Sequence, residues 1–166
     1  TVTLFTLNAD RLSRLVTLFF SEIIYDALKF TQEEDEDFNS SSSSDSESDS
    51  EDSSLSIRQL VKVNQIVTEI WRYVPEVTSS VMGLLSNELE ADNDNIRVAA
   101  TKAIESILSF SNSPLNFLHE HQDVYKKWMK KPFDRSLAVR IAWVKRTPRL
   151  IENRSDTADD IRDGLL

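Results

Sequence analysis

No cysteine occurs among the 166 residues, which excludes disulfide staples, thiolate catalysis and cysteine-ligated zinc. Glycine appears twice and proline four times. That scarcity argues against a turn-rich assembly of short strands and for long helices joined by short turns. No apolar run approaches the roughly 18 residues that cross a bilayer. The best stretch, Leu15 to Phe20, is stopped by Ser21-Glu22, and no membrane segment is expected. Lysine and arginine are absent between Thr31 and Ser54, where ten of the 28 acids fall, five in Glu33–Asp37 and five in Asp45–Asp52. The formal charge of −9 therefore belongs to one segment, because the remainder holds 18 acids against 19 bases and is almost neutral.

What the chain does contain is a repeated phrase. Ile96-Arg97-Val98-Ala99 and Val139-Arg140-Ile141-Ala142 place two arginines 43 residues apart. Each phrase follows a polar turn with aspartate, Asp92 and Asp94 before the first and Asp134 before the second. A period of roughly 40–47 residues is that of paired-helix units of the HEAT and armadillo kind. The fold predicted is an all-α HEAT-repeat solenoid of antiparallel helix pairs, a scaffold and not an enzyme. Stacked units need neighbours to cover their apolar faces. About three units, opening on Thr1 and closing in an amphipathic helix at Leu165-Leu166, therefore read as a fragment of a longer chain.

Apolar positions set the helices. Leu12, Leu15, Val16, Phe19, Phe20, Ile23, Ile24, Ala27 and Leu28 form one helical stripe, which predicts an N-terminal solenoid helix over about Ala9 to Phe30, within a segment 1–30. A disordered acidic insertion follows over 31–54, and HEAT-type repeats fill 55–166. A second helix is predicted from Ser56 to Tyr73, ended by Pro75, which also suits the first turn of the next helix. That next helix carries Val77, Val81, Leu84, Leu85 and Leu89. After the Asp92-Asn93-Asp94 turn, Ile96, Ala99, Ala100, Ala103, Ile104, Ile107 and Leu108 form a narrow stripe whose small residues permit close helix approach. A helix over about Leu115 to Lys131 follows, then one from Ser136. Pro148 lacks the amide that would bond to the Val144 carbonyl, so a kink or break is expected there. Asp156 to Leu166 starts a further unit. In such a stack an early arginine bridges to turn aspartates and exposed carbonyls of its neighbour. Arg97, Arg140, Asp94 and Asp134 are accordingly read as ladder residues that set register.

The residues also resemble a known family. Leu84-Leu85-Ser86-Asn87-Glu88-Leu89-Glu90, Arg97, Ala100-Thr101, Trp128, Phe133-Asp134 and Val139-Arg140-Ile141-Ala142-Trp143-Val144 are similar to a repeat region of the cohesin-associated regulators named for precocious dissociation of sister chromatids. The likeness is best from Trp71 to Ile151, and the acidic insertion points to a fungal member. That resemblance implies a nuclear, chromatin-associated HEAT scaffold that contacts the kleisin subunit of cohesin. It also implies work with the wings-apart-like release factor and the cohesin acetyltransferase, to maintain or dissolve sister-chromatid cohesion. Inositol polyphosphate binding is a further implication of the family.

Two charged regions carry candidate sites. Ten serines are interleaved with acids from Ser40 to Ser54, and Ser44, Ser46, Ser48 and Ser50, each with acids just downstream, are candidate phosphorylation sites. Each phosphate would add about −1.5 to −2 charges. Within Val124 to Arg149, nine bases face the single acid Asp134. Lys126, Lys127, Lys130, Lys131, Arg135, Arg140, Lys145 and Arg146, with Arg149, form the candidate anion- or partner-binding strip. It reads as a solvated face, as a site for phosphates or nucleic acid, or as a dock for the chain's own acidic segment. No helix-turn-helix, zinc or RNA-binding fingerprint accompanies it. His119 and His121, two apart, fall on different helical faces without a supporting acid cluster, so no metal site is predicted and both read as surface residues. Trp71 and Trp128 continue apolar stripes and belong in a core. Trp143 and Tyr125, beside the basic strip, are candidate exposed anchors. The same fold also serves nuclear transport receptors, phosphatase scaffolds and helical nucleic-acid-binding modules, which fold alone does not separate.

Overall fold

The computed structural model describes residues 8, 10–25, 47–110 and 120–165, and every regular element among them is helical. Helix α1 covers 10–25, and α2 runs from Glu47 to Tyr73. Pro75 opens α3 (Pro75–Thr78), where its missing amide costs nothing. A 3-10 turn at Ser79–Val81 leads into α4 (Met82–Glu88). Helix α5 spans Asp94–Ser109, and its first turn is capped by the Asn93 side chain, which accepts from the Asn95 amide at 2.9 Å. Then come α6 (Gln122–Met129), a 3-10 turn at Lys131–Phe133, α7 (Leu137–Asn153), a 3-10 turn at Ser155–Thr157 and α8 (Ala158–Leu165).

Helices α2, α5 and α7 lie side by side, with α5 between the other two, while α4 packs on both α5 and α6. This is the two-row stack of antiparallel helix pairs that the 43-residue period predicts. The apolar seam between the rows holds Leu60, Val67, Trp71, Leu85, Leu89, Ile96, Ile104, Ile107, Trp128 and Trp143, all buried. Each such side chain contributes about 1.5–3 kcal/mol by leaving water. The small residues Ala99, Ala100 and Ala103 are buried on α5, which lets its neighbours approach on two flanks.

Several expectations need correction. Helix α2 begins at Glu47, not Ser56, so 47–54 is helical and not disordered. The acids Glu47, Asp49, Glu51 and Asp52 sit at its amino end, where the helix dipole favours negative charge. Ser48 and Ser50 thus fall in the first turn of a helix, whereas Ser44, Ser46 and the rest of 31–46 lie outside the described residues, as does His119. Helix α7 does not break at Pro148 but runs on to Asn153. Both Pro148 and Val144, whose carbonyl loses its donor, lie on the exposed side, where that carbonyl is free to meet water. Trp143 and Tyr125 are buried, not exposed anchors. Tyr125 stacks on Trp128 with ring centroids 6.3 Å apart, and Trp128 lies 5.1 Å from Trp143. Among the described residues of that first stripe only Phe20 and Ile24 are buried; Leu12, Leu15 and Phe19 are exposed. His121 is half-buried and not a surface residue: its ring meets the edge of Trp71 at 6.0 Å and its Nε2 lies 3.1 Å from Ser79 Oγ. Burial lowers its pKa.

Candidate interaction site

The turns before α5 and α7 bring the recurrent arginines and aspartates together. Arg97 leaves the first turn of α5 and is 4% exposed. Its Nη1 donates to the carbonyls of Ala91 and Asp92 at 2.7 and 2.6 Å. Its Nε and Nη2 reach Asp134 in the next unit, at 3.1 and 3.0 Å, a forked contact that fixes orientation as well as charge. Burial resists ionisation of Asp134, but bonds from Arg97, the Ser136 amide and Lys131 prevail and hold its pKa below the usual 3.8.

Arg140 repeats half of this arrangement. Its Nη1 donates to the carbonyls of Asp134 and Arg135 at 2.7 and 3.1 Å, six and five residues back, as Arg97 does. Asp94, in contrast, meets no arginine. It accepts from the Ser136 hydroxyl at 2.9 Å, and Arg135 bonds to Asp92 instead. The reason is register: the position 43 residues before Asp134 is Ala91, so the two turns are equivalent in backbone but not in side-chain chemistry.

The basic strip separates into tied and free residues. Lys131 is buried, donates to the Leu89 carbonyl at 2.6 Å and pairs with Asp134 at 3.3 Å. It is a turn-locking residue and cannot serve as an open anion contact. Arg146 pairs with the buried Glu105 at 2.9 Å, Lys127 with Glu90 at 2.6 Å, and Arg135 with Asp92. Lys126, Lys130, Lys145 and Arg149 are exposed and have no ion pair among the described residues. A dock for the acidic segment would therefore have about half the cations that the sequence suggests. The seam between α5 and α7 is stitched at three levels: Arg97–Asp134 at its start, Arg146–Glu105 midway, and Asn153 Nδ2 donating to the Ser109 carbonyl at 2.9 Å at its end.

Two concavities adjoin this framework. One, about 470 Å³, lies between α2 and α5 and is floored by Ala99 and Ala103, with Lys102 and Arg146 at its rim. The other, about 810 Å³, is apolar and lined by Leu15, Phe19, Tyr25 and Leu84. Sequence reasoning missed both, because each is assembled from helices far apart in the chain. Among the described residues no cluster of three or more histidine, aspartate or glutamate side chains is arranged to hold a metal.

The sequence matches one family from end to end. A family model described as "Sister chromatid cohesion protein PDS5 protein" matches residues 1–166. The chain belongs to that family. It is 32% identical over 157 residues to the sister chromatid cohesion protein PDS5 of Saccharomyces cerevisiae, an alignment covering 95% of this chain and 11% of that protein. It is 24% identical over 156 residues to the Schizosaccharomyces pombe protein of the same name, covering 94% and 11%. A solved structure, "Structure of the Pds5-Scc1 complex and implications for cohesin function", superposes with a TM-score of 0.73 at 30% identity, over 95% of this chain and 21% of that one. The chain thus spans about a tenth of the length of the curated family members it matches, and its fold is a HEAT-repeat α-solenoid.

Proposed function

We propose that this chain is a non-catalytic scaffold segment of a chromosome-associated, nuclear cohesin regulator. In this reading it presents a rigid helical surface to the cohesin kleisin, and to the wings-apart-like release factor and the cohesin acetyltransferase, to maintain or dissolve sister-chromatid cohesion. The observation that carries it is the unbroken likeness to proteins named for sister chromatid cohesion, joined to a structural relative solved as a complex with Scc1. The side-chain chemistry supports the same reading. Arg97, Glu105, Lys131 and Asp134 are buried or nearly so and are bonded across the turn or the helix seam, which preserves shape. The exposed bases Lys126, Lys130, Lys145 and Arg149 remain for an acidic partner segment. Phosphorylation of Ser44, Ser46, Ser48 and Ser50 would tune that surface. At Ser48 and Ser50 a phosphate would sit at the amino end of α2, where added negative charge favours the helix.

Crosslinking mass spectrometry on the full-length protein within intact cohesin tests this reading. Crosslinks from Lys126, Lys130 or Lys145 to the kleisin or a release factor are expected. The reading fails if these lysines yield no crosslink to any cohesin component while lysines elsewhere in the protein do. It fails equally if the protein captures Ran or a phosphatase catalytic subunit in place of the kleisin.

A further inference from the structure

Between α2 and α4 lie two buried acceptors that no donor among the described residues reaches. Glu88, the last residue of α4, is 0% exposed, and Asn64 of α2 is 3% exposed. Asn64 Nδ2 donates to Glu88 Oε2 at 2.6 Å. Glu88 Oε1 and Asn64 Oδ1 have no hydrogen-bond partner. With Glu88 ionised, a full negative charge would be buried against a single neutral donor, beside a second orphaned oxygen. Such a state is strongly disfavoured.

Charged groups on the surrounding elements do not relieve it. On α5, Arg97 is turned to Asp134 and Glu105 to Arg146, and Lys102 is exposed. On α6 and the following turn, Lys127 pairs with Glu90, and Lys131 with Asp134 and the Leu89 carbonyl. On α2, Arg58, Lys62 and Glu69 are exposed, as are Glu76 of α3 and Glu22 of α1. Among the described residues no cation pairs with Glu88.

We propose that Glu88 is held as the neutral carboxylic acid, its Oε1 hydroxyl donating to Asn64 Oδ1, so that one bound proton joins α4 to α2. The proton satisfies both orphaned oxygens at once and turns the two side chains into a reciprocal acid–amide pair. Burial raises the Glu88 carboxyl from the usual 4.5 to about 8, against the lowering effect of the Asn64 bond. The joint adjoins the ladder, since the next residue, Leu89, receives Lys131 and opens the turn that leads to Arg97. Loss of the proton would place an uncompensated charge where that turn is anchored. This holds whichever partner the surface binds.

Between pH 4.5 and about 8 the folded chain keeps a proton that the unfolded chain has released, so stability declines as pH rises through that window and levels off above it. Two measurements on the full chain test the proposal. By NMR, the Glu88 side-chain carboxyl carbon should titrate near pH 8. In equilibrium unfolding across this range, the folding constant of the native chain relative to Glu88→Gln should fall by about tenfold per pH unit, because the Gln amide mimics the neutral acid and does not titrate. A carboxyl that titrates in the ordinary carboxylate range overturns the proposal, as does a ratio that stays constant with pH. Should Glu88→Gln fail to fold, the titration of the native chain decides alone.

Discussion

Arg97 and Arg140 stand at equivalent places in two units and hold equivalent backbone carbonyls, yet only Arg97 closes a fork on a carboxylate from another unit. The difference has an energetic consequence. Removing one partner of a buried, hydrogen-bonded pair typically costs about 3–5 kcal/mol, and because Asp134 would keep Lys131 and the Ser136 amide the loss of Arg97 falls at the lower end, about 3 kcal/mol. Arg97→Ala is therefore expected to destabilise the chain by about that amount, whereas Arg140→Ala, which loses only carbonyl bonds on a less buried side chain, costs about 1 kcal/mol. Denaturant unfolding of both variants reads the difference; equal losses would remove the distinction drawn between the two arginines. Sequence reasoning picked out both arginines and Asp134, because a recurring arginine after a polar turn has few structural uses. It did not show that Asp94 meets the Ser136 hydroxyl of the next turn and not an arginine, since spacing shows which residues share a turn but not which of them a guanidinium reaches.

At the scale of the element, short helices depend most on local chemistry. Gly83 lies within the seven-residue α4, and a methyl group added there meets no atom within 4 Å. Gly83→Ala should consequently stabilise the chain by about 0.5–1 kcal/mol, through the entropy that glycine loses in a helix. A lower midpoint of thermal unfolding for that variant would count against the described packing of α4. The neighbouring elements show where propensity is overruled. Proline in the body of α7 is tolerated because its missing bond falls on the exposed side, while the buried side, with Val139, Trp143 and Leu150, keeps its contacts. Helix α2 reaches back to Glu47 through a run of serines and acids that composition alone assigns to disorder.

For the whole molecule, the order of packing predicts an order of opening. Helix α5 is buried against α2 on one flank and α7 on the other, while α1 is anchored chiefly through Phe20 and Ile24 and by Ser13 and Thr17 at the Ser80 hydroxyl. Native-state hydrogen exchange should accordingly find the slowest amides in α5 and the fastest among these helices in α1. Matching rates in the two would contradict this hierarchy. The sequence by itself determined the helical period, the 43-residue repeat and the segregation of acidic charge, because each is a pattern among near neighbours or a count. Only the tertiary structure decided which bases stay free, that Lys131 and Trp143 lie inside, and that Glu88 is sealed against Asn64. Those outcomes depend on side chains such as Asn64 and Glu88, 24 residues apart, or Arg97 and Asp134, 37 apart. Their meeting is set by how helices stack, which no local pattern encodes.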